Sequence, residues 1–164
     1  MDIAVIGMGP IGHLHASIYQ EDESVNLVAV CEREDGRRNK ATMKLCVPGY
    51  SSVEELFDKH TLDLCSVTTG GDEYGSDHFN PTIFAIKNGS HVLCEKPISN
   101  SIAEADEMVR TAKEYGKILA INMNHRFTPA ARLAKSWQLE DRVGVPLFIN
   151  MSIWIGNPNE SSPF

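Results

Sequence analysis

A doubly wound α/β fold on a mainly parallel sheet is predicted by three features of the sequence. Short apolar runs alternate with longer amphipathic ones, as βαβ units require. A glycine-rich turn follows the first apolar run directly and opens the first helix. Hydroxyl caps and glycine stops then punctuate the later elements. At 164 residues the chain is the size of one domain, and 42% hydrophobic against 23% charged residues is enough to fill a single core.

The first strand is the apolar run at residues 3–6, and the first helix covers residues 10–20, ending before the acidic stretch 21–23. Residues 25–31 form the second strand and 34–45 the second helix, with a short third strand around Tyr50. Ser52 and Glu55 have capping-box spacing, where hydroxyl and carboxylate satisfy orphan N–H groups of a helix through Phe57. Residues 64–68 read as the fourth strand and 69–77 as a polar, glycine-rich loop. A helix follows to Asn88, with Gly89 where a left-handed stop is expected. Residues 91–94 are the fifth strand. Ser101 and Glu104 repeat the capping-box spacing, and Ile102, Ala105, Met108, Val109 and Ala112 line one face of the helix they open. Gly116 ends that helix and residues 118–122 are the sixth strand. Thr128 and Pro129 suit the N-cap and first turn of a last helix running toward Leu139. Along residues 147–155 every odd position is apolar, with Asn150 and Ser152 between, which reads as a strand with one buried face. The expected organisation is a nucleotide-binding domain over residues 1–124, then a connecting helix and the start of a second domain over 125–164.

Composition narrows the function classes. The net charge of −7 gives no basic footprint for nucleic acid. The longest apolar runs are strand-sized, far short of the ~20 residues of a membrane span, and Asp2, Gly7, Gly9 and Pro10 break any secretory leader. A cytoplasmic protein is the expectation. Cys31, Cys46, Cys65 and Cys94 are widely spaced with no C-x-x-C pair, so reduced core thiols are expected rather than disulfides or a metal site.

Gly7-Met8-Gly9-Pro10-Ile11-Gly12 fits G-x-G-x-x-G between a strand and a helix. The three glycines serve a tight turn, a close approach of backbone to a pyrophosphate, and close helix–strand packing, and the helix N-terminus offers N–H groups to the phosphates. Glu32 stands at the end of the second strand, 20 residues after Gly12, where a carboxylate accepts hydrogen bonds from ribose hydroxyls. Together these predict a Rossmann-type dinucleotide site. A 2′-phosphate ~4 Å from Glu32 would be repelled by about 4 kcal/mol at an effective dielectric near 20, which favours NAD over NADP. Arg33 could offset that repulsion or stack on adenine.

Glu95, Lys96 and Pro97 follow the fifth strand directly, at the carboxyl edge of the sheet where ligands collect. A lysine there could hydrogen-bond a substrate hydroxyl and stabilise the charge left as its proton departs; a plain surface lysine is the other reading. The segment HVLCEKPIS at 91–99, after the glycine fingerprint and Glu32, resembles the Gfo/Idh/MocA family, that of glucose-fructose oxidoreductase and inositol dehydrogenase. His15, three residues after Gly12, His78 at its interval before Gly89, and NHRFTPA at 124–130 agree with that family.

The resemblance implies an NAD- or NADP-dependent dehydrogenase of a sugar, inositol or related polyol. It puts Gly7, Gly9, Pro10, Ile11, Gly12, Glu32, Arg33, Thr69, His78, Glu95, Lys96 and Arg126 around the cofactor. Lys96 would contact both the nicotinamide ribose and the reacting hydroxyl, with Glu95 positioning it and Arg126 toward the nicotinamide end. The family's C-terminal domain, an open and mainly antiparallel sheet, supplies a proton-accepting histidine and the usual homo-oligomer contacts. Residues 147–155 would be its first strand, so the 164-residue chain is expected to be inactive alone. The loop at 69–77 is about four residues longer than the family form, and either reshapes the pocket or is a neutral insertion. Two other functions stay open: a dinucleotide-gated sensor that has lost catalysis, and NAD-dependent glycoside cleavage without net NADH.

Overall fold

The computed structural model describes residues 1–70, 76–150 and 152. They divide into two compact units, the first ending at Asn122. In the first unit six parallel strands lie in the order β3-β2-β1-β4-β5-β6. They are β1 (Asp2–Ile6), β2 (Asn26–Cys31), β3 (Gly49–Tyr50), β4 (Leu64–Val67), β5 (His91–Cys94) and β6 (Leu119–Ile121). The order reverses between β1 and β4, so their carboxyl ends flank the crevice at which such sheets take ligands.

The helices follow from the same alternation. On one face α1 (Pro10–Glu21) and α2 (Asp35–Leu45) cover a core of Val5, Met8, Ala16, Leu27, Val30, Ala41 and Leu45. On the other, α3 (Val53–Lys59), α4 (Phe79–Lys87) and α5 (Ile102–Glu114) close over Ala4, Ile6, Leu56, Cys65, Val67, Ile86, Val92 and Met108. Strand residues therefore alternate between two buried faces, as a parallel sheet covered on both sides requires. Cys31, Cys65 and Cys94 are buried in it and Cys46 is exposed.

Three local expectations need correction. Ser52 and Ser101 do cap α3 and α5, accepting from the Glu55 and Glu104 amides. The reciprocal carboxylates, however, go elsewhere: Glu55 bonds Ser51 and Glu104 bonds Ser99, because those hydroxyls lie just outside the cap. On α5, Ile102 and Val109 are exposed at 83% and 57%, whereas Thr111 is buried. Helical phase decides this, since Ala105, Met108 and Ala112 form an i, i+3, i+7 stripe that Thr111 joins and the other two residues leave. Gly89 and Gly116 have φ of 92° and 63°, the left-handed stops the sequence requires.

The second unit holds a 3-10 turn (Asn124–Phe127) and α6 (Pro129–Leu139), whose N-cap Thr128 accepts from the Ala131 amide. Residues 147–150 are exposed and irregular, not the start of a strand. No neighbouring strand among the described residues takes their backbone groups, and an isolated strand does not persist. Met151 and residues 153–155 of that expected strand, and 71–75 of the long loop, lie outside the described residues.

Candidate functional site

The turn after β1 uses each glycine differently. Gly7 has φ +95°, and a Cβ there would lie 2.7 Å from the Thr69 nitrogen; one on Gly12 would lie 1.9 Å from the Gly7 carbonyl oxygen. Both glycines are demanded by the protein's own packing. Thr68 clamps the turn, its hydroxyl donating to the Gly7 carbonyl at 2.7 Å. Gly9 differs: its φ is an ordinary −73° and a Cβ on it would meet nothing within 4 Å. No described residue fills the space before it. Gly9 is also the N-cap of α1, with no side-chain cap and no acidic residue in the first turn. The Ile11 and Gly12 amides have no intrahelical acceptor, and the positive end of the helix dipole lies with them.

Glu32, just beyond β2, is 6% exposed. Its Oε2 accepts from the Met8 amide at 2.8 Å, and its Oε1 from the Glu34 amide and from Arg37 Nη2, each at 3.0 Å. Burial pushes the carboxyl pKa up, but the Arg37, Glu34 and Met8 hydrogen bonds outweigh it and hold Glu32 below the usual carboxylate range. A carboxylate offers about four acceptor positions, so three internal donors leave roughly one, on Oε2. The cation at Glu32 is thus Arg37, one turn into α2, and not Arg33. Arg33 is 78% exposed and pairs with Asp77 at 3.4 Å.

These groups border one groove of about 960 Å³, within the range of small-molecule sites. Gly7, Gly9, Glu32, Arg33, Arg37 and Thr69 line it, with Val53 and Ile83 as apolar walls. Thr69 donates to the Asp77 carbonyl at 2.8 Å, tying the ends of the long loop together.

A second cluster stands at the end of β5. Glu95 is 12% exposed and Lys96 exposed. The Lys96 amide donates to Glu95 Oε2 at 3.1 Å, while Glu95 Oε1 meets Asn122 Nδ2 and, at 3.2 Å, His15 Nε2. His78, 2% exposed, donates from Nδ1 to the Pro97 carbonyl at 2.8 Å and so braces the Glu-Lys-Pro turn from the start of α4. The remaining expected residue, Arg126, belongs to the second unit, its guanidinium 5.7 Å from the Phe127 ring centroid.

Sequence reasoning missed Arg37, Thr68, Ser66 and Asn122. Arg37 carried a usable signal, being one helical turn beyond the N-cap and facing back toward the end of β2. The other three meet their partners across 27 to 61 positions of chain, which no spacing reveals. Among the described residues no group of three His, Cys, Asp or Glu side chains is arranged to hold a metal, and no helix is long and apolar enough to cross a membrane.

Comparison with known proteins identifies the family and the fold. A family model described as an oxidoreductase family with an NAD-binding Rossmann fold matches residues 1–123. The D-glucoside 3-dehydrogenase of Escherichia coli K12 is 33% identical over 126 residues, covering 76% of this chain and 35% of that protein. The myo-inositol 2-dehydrogenase of Thermotoga maritima is 30% identical over 150 residues, covering 89% of this chain and 43% of its own length. The crystal structure of myo-inositol 2-dehydrogenase from Lactobacillus plantarum superposes with a TM-score of 0.77 at 26% identity, covering 88% of this chain and 42% of that one. The chain therefore spans well under half the length of these relatives.

Proposed function

The chain belongs to the Gfo/Idh/MocA oxidoreductase family with its NAD-binding Rossmann fold, and on that premise we propose that it is the nucleotide-binding part of an NAD-dependent dehydrogenase of a sugar, inositol or related polyol. The observation that carries the cofactor reading is Gly9, whose missing side chain opens space directly before the uncapped N-terminus of α1. The Ile11 and Gly12 amides would hold the diphosphate, and the remaining acceptor position on Glu32 would hold the adenosine ribose. A bound NAD would supply hydride-acceptor chemistry for the substrate's carbinol carbon. Lys96 stabilises the charge that grows on that carbon's oxygen, and the hydroxyl proton passes to a separate base. The substrate class follows the two relatives named for a glucoside and an inositol. A cytoplasmic location fits the four free cysteines, and homo-oligomer formation fits the family resemblance.

The test is NADH formation from a panel of inositols and glucosides by the gene product carrying this chain, with Lys96→Ala alongside. Turnover lost in the variant supports the proposal. Glycoside cleavage with no net NADH would replace it with the redox-assisted cleavage reading, and intact turnover in Lys96→Ala would remove the lysine from the mechanism.

A further inference from the structure

A buried polar chain runs beneath the Glu-Lys-Pro turn, and the hydride-transfer reading makes no use of it. β4 sends Cys65 and Val67 into one core, but on its other face it carries Ser66, fully buried, against His15 of α1. Ser66 Oγ and His15 Nδ1 are 2.7 Å apart. The opposite ring nitrogen, Nε2, reaches Glu95 Oε1 at 3.2 Å. A buried polar pair is costly unless every group is satisfied, so the directions of these bonds are constrained. The Glu95 carboxylate accepts only; His15 Nε2 must therefore carry the proton and donate it. Burial lowers the His15 pKa, with Glu95 only partly restoring it, so the ring is neutral and has a single N–H. Nδ1 is then an acceptor, which fixes the Ser66 hydroxyl as its donor. Asn122 Nδ2 approaches His15 Nε2 to 3.3 Å because both donate to the same carboxylate oxygen. Tyr19 closes the other end beside Ser66.

We infer that His15 is a positioning residue for the proposed dehydrogenase: it holds the Glu95 carboxylate, and the carboxylate holds the Lys96 amide. The inference rests on the assignment of Lys96 above. His15 touches neither cofactor nor substrate in this role; it acts from α1 through one carboxylate. With Asn122 after β6 and the Lys96 amide itself, it fixes both Glu95 oxygens, so the rotamer of Glu95 and the backbone that carries Lys96 are set together.

The test uses the cofactor-free chain and reads the Lys96 amide by NMR in wild type, His15→Leu, His15→Gln, Glu95→Gln and the His15→Leu/Glu95→Gln double variant. In His15→Leu the Lys96 amide resonance shifts and its exchange with solvent rises roughly tenfold, the factor that about 1.4 kcal/mol represents. His15→Gln restores an N–H donor and brings the amide back toward wild type. On the Glu95→Gln background His15→Leu adds nothing, because two residues acting through one link are not additive. An unchanged Lys96 amide in folded His15→Leu, or additive effects in the double variant, overturns the inference. Should His15→Leu not fold, the wild-type ring 15N shifts serve: a single neutral tautomer protonated at Nε2 is expected, and a ring protonated at Nδ1 contradicts the proposal. Failure to bind NAD+ would sink the cofactor reading without touching any of these readouts.

Discussion

The Met8 amide donates to the Glu32 carboxylate at 2.8 Å, so the glycine turn after β1 and the end of β2 are joined by a side chain that also faces the groove. Glu32 is therefore structural and groove-facing at once. Glu32→Ala leaves a buried amide without its acceptor, which costs about 1–3 kcal/mol. A Tm lower by roughly 2–4 °C for each kcal/mol is expected, together with weaker NAD+ binding. A variant with unchanged Tm would show that the Met8 contact contributes nothing.

Gly9 and Gly12 separate binding from folding. Gly12→Ala drives a Cβ against the Gly7 backbone oxygen, and a strongly destabilised or unfolded chain is expected. Gly9→Ala meets open space, so its stability should stay within about 0.5 kcal/mol of wild type, the range of ordinary surface changes. Its NAD+ affinity should nonetheless fall at least about tenfold, because the added methyl occupies the approach of the diphosphate. Calorimetry and thermal melts on the two variants check both halves. Unaltered NAD+ affinity in Gly9→Ala would contradict the role given to that glycine.

Stability should fall with acid in two steps. His15 and His13 both titrate below 6.5 when folded, through burial first, with Lys44 and Lys40 adding to the effect on His13. Unfolded, each takes its proton near 6.5, so the unfolded state binds more protons below that pH and stability declines as pH falls through 6.5 toward the folded values. Glu32, held below 4.5, contributes stability that is intact above 4.5 and lost as pH falls through its folded value. Urea unfolding from about pH 7 to about pH 5.5 should show the first decline, flattened in His15→Gln. A level wild-type profile over that window would contradict a neutral, buried His15.

The cysteines should divide cleanly. Cys31, Cys65 and Cys94 have thiols pushed up to about 12, in each case by burial first, and all three are buried, whereas Cys46 is exposed. The thiolate is the reactive form. A thiol reagent should modify Cys46 in the native chain and all four cysteines only after denaturation. Rapid native labelling of Cys94 would mean that the β5 end opens.

Much of the fold was legible because its signals are local. The run–glycine–helix order gave β1 and α1, and the left-handed stops at Gly89 and Gly116 sit where the residue type alone puts them. Among the expected site residues, Gly7, Gly9, Glu32, Arg33 and Thr69 do line one groove. What spacing could not supply was which partner a polar group finds. Arg33 follows Glu32 in sequence yet turns to Asp77, and Arg37 takes the carboxylate because the first turn of α2 brings it back. His78 fits the family interval, but its ring lies buried against Pro97. The network of His15, Ser66, Glu95 and Asn122 joins residues up to 107 positions apart, and only the closed sheet brings them together.

The most direct test of the account is calorimetric titration of the folded chain with NAD+ and, separately, NADP+, with Glu32→Ala in parallel. The account predicts that NAD+ binds, that NADP+ binds at least about tenfold more weakly because Glu32 repels a 2′-phosphate, and that the variant narrows the gap. A folded chain that binds neither nucleotide, or that prefers NADP+ as strongly as NAD+ is expected to be preferred, would contradict it.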